Sequence, residues 1–325
     1  MSDLAKPEVI RAVLAAVGNK LDGRMASKTY AARRRSMVWN MCELAVEERL
    51  LPVNPITLVK SSSRPKRAKG NDQVDPASVP NPEQAEALLE AVGDLPGSGP
   101  QLKAFFGSMY YCALRPGEAV NLRELNLHIP HEGRGKLLLT ESAPWAGGAW
   151  TDTGEERDPR QLKHREVGTN RWAPCPSKMT RLFHEHLSTY GTDSDGRLFR
   201  GARGGMVPWK TYQVAWQLAR VAVFGEVAAR TSILAQRPYD LRHAEVSTWL
   251  AAGVEGVRVA EWAGQSLEVL MRIYAKVLDG LEEQALDPIE VTYGEAKRGV
   301  IVALSHKDTQ MPIAGDPERP CPRIE

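Results

Sequence analysis

From residue 58 to 81 the chain loses every periodicity that could bury a face. The stretch opens LVKSSSRPKRAKGN, with serine, proline and basic residues at its start, and neither a helical nor an alternating apolar pattern runs through it. Such a segment has too little apolar surface to offset the entropy of being ordered, so it reads as a linker. It fixes the architecture: a short unit ahead of a boundary near residue 75 and a larger one behind it. The 325 residues are enough for two cores.

Ahead of the linker, 7–17 (PEVIRAVLAAV) and 27–50 carry apolar residues at three- and four-residue spacing, with Val38, Cys42, Ala45 and Leu50 on the inward side of the second. Both predict amphipathic helices, and Pro52 and Pro55 are expected to stop the second. Behind the linker, Asn81 suits an N-cap and Pro82 the first helical position. Leu102, Phe105, Phe106 and Met109 form a core-facing stripe. KLLLT at 136–140 predicts a strand, and the run RQLKHREVGTNRWAPC a hairpin turning at Gly168–Asn170. Helices are expected over 177–190, 209–224, 241–252 and 266–277. The fold class is mostly α with a small sheet, α+β.

Bulk charge selects no partner. At a formal net charge of +2, binding to a polyanion requires the positive residues to gather on one face. Cys42, Cys112, Cys175 and Cys321 lack metal or disulfide spacing, which suits a reducing, cytoplasmic setting. No apolar run reaches the ~18 residues of a membrane span.

Three short segments carry chemistry. In LRPGE, Pro116 forces Arg115 into extended backbone, so its side chain projects from a corner, and Glu118 one turn on is placed to buttress an arginine. In RPYDLRHAEVSTWLAAG, Asp240 is expected to cap a helix that Gly253 ends. Arg242 then lies in the first turn, where outward N–H groups and a guanidinium together favour a phosphate. His243 is placed to orient that helix terminus. In AEWAGQSLEVLMRIYAKVL, Tyr274 shares a stripe with Leu267, Leu270 and Met271, where a tyrosine is ordinarily a core residue with a tethered hydroxyl.

The order LRPGE, LKHRE, PYDLRHAEVSTWLAAG, VAEWAGQS, YAKV resembles the catalytic domain of the tyrosine recombinases, or phage integrases, and in particular those of actinobacterial mobile elements. The likeness runs from about residue 80 to 280, with a weaker echo over 7–60. It implies that Arg115 and Arg242 hold the scissile phosphate of double-stranded DNA. Tyr274 would be the nucleophile of a 3′-phosphotyrosyl link, and Lys163 would protonate the leaving 5′ oxygen, with Lys136 as the alternative. No cofactor or metal is implied. Two positions depart from the family pattern: Tyr239 and Gln265 stand where histidine is usual, and an amide forgoes one charge-assisted contact of roughly 1 to 2 kcal/mol.

The same resemblance implies residues 1–75 as a short helical core-binding domain, 76–280 as the catalytic domain, and 281–325 as a tail that contacts a neighbouring protomer. Arg33, Arg34 and Arg35, with Lys66, Arg67 and Lys69 of the linker, would track the DNA backbone. A homotetramer on DNA, an accessory directionality factor and a place at the bacterial nucleoid complete the expectation. Two helices ahead of the linker are fewer than the family's four or five. A recombinase-fold DNA-binding protein with weakened or lost catalysis is therefore the alternative, ahead of a type IB topoisomerase or a helix-turn-helix regulator.

Overall fold

The first α-helix of the larger unit starts from a satisfied end. Asn81 accepts from the Gln84 backbone at 2.8 Å while the Gln84 side chain accepts from the Asn81 backbone at 3.0 Å, a reciprocal cap on the helix that starts at Pro82. The computed structural model describes residues 6–59, 73–151, 153–162 and 168–279. The chain divides into two units between residues 71 and 72.

In the first unit, α1 (Pro7–Val17) and α2 (Lys28–Glu47) are followed by a short 3-10 turn, Pro55–Leu58. Ile10, Cys42, Ile56 and Val59 bury together. α2 ends well before Pro52: the chain turns at Arg49, whose φ is 57°, and Leu51 is buried at 3% while Leu50 stays 56% exposed. The prolines thus do not stop this helix, and the reversal at Arg49 brings the next residue, not Leu50, to the core.

The second unit contains α3 (Pro82–Gly93), α4 (Gly99–Tyr111), α5 (Pro116–Val120), α6 (Ser177–Tyr190), α7 (Trp209–Thr231), α8 (Asp240–Ala251), α9 (Gly256–Ala263), α10 (Leu267–Ile273) and α11 (Ala275–Asp279). Its core is the α4 stripe as expected: Leu102, Phe105, Phe106 and Met109 are all buried. Phe105 meets Phe199 edge-on at 5.6 Å and Phe106 meets Trp216 of α7 at 5.0 Å. The indole N–H of Trp216 donates to the Ala235 carbonyl at 2.8 Å, so its burial leaves no orphaned donor. Gly225 (φ 79°, ψ 161°) interrupts α7 one residue after the expected end at 224. α5 and α9 are short helices outside the expected set.

The strands β1 (Leu127–His128), β2 (Gly135–Leu139) and β5 (Arg171–Cys175) form an antiparallel sheet in the order β1-β2-β5, with Leu137 opposite Ala173. β3 (Glu141–Ser142) pairs with β4 (Arg160–Gln161) in a separate two-stranded ribbon. The two flanks of the expected hairpin therefore pair elsewhere: the residues before its turn join β3, and those after it join β2. β5 supplies Ala173 and Cys175 to the main core, and that burial decides its partner.

Candidate active site

The LRPGE corner forms as the proline dictates. Arg115 is extended (φ −73°, ψ 151°), and α5 begins immediately after it. The turn brings Glu118 back to accept from the Arg115 backbone N–H at 2.8 Å and from its guanidinium at 2.8 Å. Glu118 takes a second cation, Arg171, at 2.6 Å. Sequence reasoning passed over Arg171. Its signal was present: it starts a strand whose inward positions are Arg171, Ala173 and Cys175, and an arginine on a buried face needs a carboxylate.

Three arginines then meet three consecutive carbonyls. Arg171 donates to Trp262, Arg242 to Ala263, and Arg115 to Gly264, the last at 2.6 Å. Arg242 also donates to the Ala113 carbonyl. Trp262 and Ala263 end α9, so their carbonyls lack an intrahelical donor and lie at the negative end of the helix dipole. Gly264 closes the helix in the left-handed conformation (φ 63°, ψ 51°), and a Cβ there would stand 2.7 Å from Arg171 Nε. Glycine serves both the turn and the approach of the guanidinium. With five N–H donors per guanidinium, Arg115 and Arg242 are fixed in place with hydrogens still to offer an anion.

Charge in this cluster is unbalanced. Burial alone would raise the Glu118 carboxyl, but Arg171, Arg115 and Arg242 pull it down to about 2. Burial lowers Arg171 to about 10, aided by repulsion from Arg242 and Arg115 and opposed by Glu118. Three guanidiniums surround one carboxylate and leave the cluster net positive, which is the electrostatic condition for holding an added anion.

Tyr274 sits in the short break between α10 and α11 and is 2% exposed. Its hydroxyl lies 2.8 Å from His243 Nδ1. Burial pushes the phenol well above its ordinary value, while Arg242 and Arg115 act the other way. Burial lowers His243 to about 3, with Arg242 and Arg237 adding to it, so the ring is neutral at pH 7. In its Nε2–H form this imidazole accepts the Tyr274 hydroxyl at Nδ1. Tyr239 packs edge-on against His243 at 5.0 Å, with the Arg242 guanidinium 6.0 Å from its ring, and lines the same cleft as Arg115. Arg115, Tyr239, Arg242, His243 and Tyr274 are thus brought together. Gln265 follows the carbonyl strap, and its amide Nε2 is buried without a partner.

Several local expectations change. Asp240 does not cap α8. Its carboxylate reaches back to the Arg237 backbone N–H at 2.8 Å and guanidinium at 3.0 Å, because Tyr239 occupies the cap position. His243 binds the Tyr274 hydroxyl rather than the helix terminus. Of the stripe around Tyr274 only Leu270 is buried; Leu267 and Met271 are each 40% exposed, since the helix breaks at the tyrosine. Lys163 lies outside the described residues, as do Lys66, Arg67, Lys69 and the tail from 281. Lys136 is exposed on β2 with its ammonium 6.0 Å from the Trp172 ring centre. In the first unit, Arg34 donates to the Asn19 carbonyl at 2.6 Å and stacks 4.2 Å over Tyr30. Successive helical residues point about 100° apart, so Arg33, Arg34 and Arg35 fan around α2 and do not share one stripe.

Among the described residues no His, Cys, Asp or Glu cluster could hold a metal ion, and no helix is long and apolar enough to cross a membrane. No family model and no curated protein matches the chain. Among solved structures, the Tn1549 transposon integrase in complex with transposon right-end DNA superposes over 87% of this chain and 85% of that one, with a TM-score of 0.58 at 14% identity. The same integrase in complex with circular-intermediate DNA gives a TM-score of 0.56 at 14% identity, over 87% and 85% of the two chains. At such identity the likeness is one of fold. The chain has the fold of the tyrosine recombinases.

Proposed function

We propose that the chain is a site-specific DNA recombinase that cuts and rejoins duplex DNA through Tyr274. The observation that carries this reading is the surplus of guanidinium charge beside a tyrosine hydroxyl: Arg115, Arg171 and Arg242 share Glu118 alone among the described carboxylates. The solved Tn1549 integrase structures contain DNA, which makes a phosphodiester the natural anion for such a site.

In the proposed step Tyr274 Oη attacks phosphorus, a phosphotyrosyl bond forms at the 3′ side, and the bond to the 5′ oxygen breaks. The phenol proton passes to His243, and the leaving 5′ oxygen takes a proton from Lys163, as the family resemblance implies. Arg115 and Arg242 hold the nonbridging oxygens, whose charge grows in the transition state. Gln265 adds its unpartnered amide donor. Burial first, and then the charges of Arg242 and Arg237, lower His243; a phosphate drawn to Arg242 offsets part of that charge and makes the imidazole a better proton acceptor. Because Tyr274 is 2% exposed, attack requires α10 and α11 to shift and release the hydroxyl. Residues 1–75 would serve as a DNA-binding unit and 76–280 as the catalytic one, working as a homotetramer on DNA.

The test is covalent trapping on nicked duplexes built from the DNA flanking the gene. Wild type should give a slow band on a denaturing gel and Tyr274→Phe none, with native-gel binding equal in both. The burial of Tyr274 and the amide at Gln265 favour a second reading, a DNA-binding protein that does not cut. Binding by the wild type without a covalent band would establish it in place of the first.

A further inference from the structure

Beside Arg115 the second unit opens a cleft of about 300 Å3 whose far wall plays no part in the chemistry above. Arg115, Tyr239, Arg157 and Arg160 line it, and among the described residues that do so none is acidic. Trp145 and Trp209 stand at the cleft, stacked on each other with ring centres 5.4 Å apart at 28°, and they are 48% and 40% exposed. Arg157 is 6% exposed and donates to the Ala143 carbonyl at 2.7 Å, yet its Nε is buried with no acceptor. Two part-exposed indoles, three guanidiniums and no carboxylate suit a ligand with a flat apolar ring and a phosphate.

We propose that this cleft takes one unpaired nucleotide of a DNA strand, its base on the Trp145–Trp209 stack and its phosphate on Arg160 and Arg115. The volume admits a single nucleotide and excludes a duplex. The assignment rests on the DNA reading above and adds to it: a base next to the cut leaves its partner and is held by aromatic stacking, which every base permits whatever its sequence. Cutting then acts on a strand whose local pairing is already open.

The experiment compares a fully paired fluorescent duplex with the same duplex carrying a short unpaired loop that contains 2-aminopurine. The full chain should bind the looped DNA about tenfold more tightly, within the range for one stacked base, and should quench 2-aminopurine emission. Replacing both Trp145→Ala and Trp209→Ala should abolish the preference and the quenching and leave affinity for the paired duplex unchanged. Trp145→Phe with Trp209→Phe should restore much of both. Arg160→Ala should weaken the preference with both indoles in place. A wild type that binds the two DNAs equally, or an alanine double variant that keeps its preference, overturns the cleft assignment and leaves the DNA reading standing. A wild type that binds neither DNA overturns both.

Discussion

Replacing Glu118 by glutamine keeps the shape of the side chain at the centre of the arginine cluster and removes its charge. Glu118 is 1% exposed and its carboxyl is held at about 2, against 4.5 for the ordinary group. A carboxylate depressed in the folded state contributes stability that is fully present above 4.5 and is lost as pH falls through the folded value. At ~1.36 kcal/mol per pH unit the contribution at pH 7 is about 3 kcal/mol. Glu118→Gln should therefore unfold more easily by about 3 kcal/mol at pH 7, read as the urea midpoint of the full chain followed by tryptophan fluorescence. Below pH 4.5 the gap to wild type should close at ~1.4 kcal/mol per unit. A gap smaller than about 1 kcal/mol at pH 7, or one unmoved between pH 4.5 and 3, would refute the picture of a single carboxylate balancing a crowd of guanidiniums.

Gly264→Ala meets both a left-handed backbone and Arg171 Nε at 2.7 Å, so it should cost more than the ~1 to 2 kcal/mol of the backbone term alone. DNA cleavage should fall with the same substitution, measured as the yield of trapped complex. Gln265→His should leave cleavage unchanged or raise it, because it supplies a donor that can carry charge; a large loss in the trapping assay would show that the amide sits elsewhere in the mechanism. Glu245 is pushed up by burial to about 8. Its folded value lies above the unfolded one, so wild-type stability should decline from pH 4.5 to 8 through this group, and Glu245→Gln should remove that decline in a urea-midpoint profile.

The helices with strong punctuation could be read from the chain. Asn81 with Gln84 announces α3, and the spacing of Leu102, Phe105, Phe106 and Met109 announces the face that α4 buries. The strand partners could not, because pairing is decided by which strand reaches the core: β5 follows Ala173 and Cys175 to β2, away from the local partner that a hairpin assumes. Arg115 and Tyr274 were visible through motifs that constrain backbone and order. Arg171 was hidden because its meaning depends on Glu118, which is more than 50 residues away in sequence and 2.6 Å away in space. The sequence neighbours of His243 point to a helix end, whereas its side-chain partner, Tyr274, is 31 residues on.

The strap of carbonyls at 262, 263 and 264 attaches each of three arginines to main-chain atoms, and main-chain atoms are common to every residue. Side chains along the strap can therefore be exchanged while the guanidiniums keep their places, provided the glycine that ends α9 remains. Inheritance of the site then lies in the path of the backbone more than in the letters written along it. The strap also ties the three arginines to one mechanical element, so a shift of α9 by a fraction of an ångström would retune all of them together.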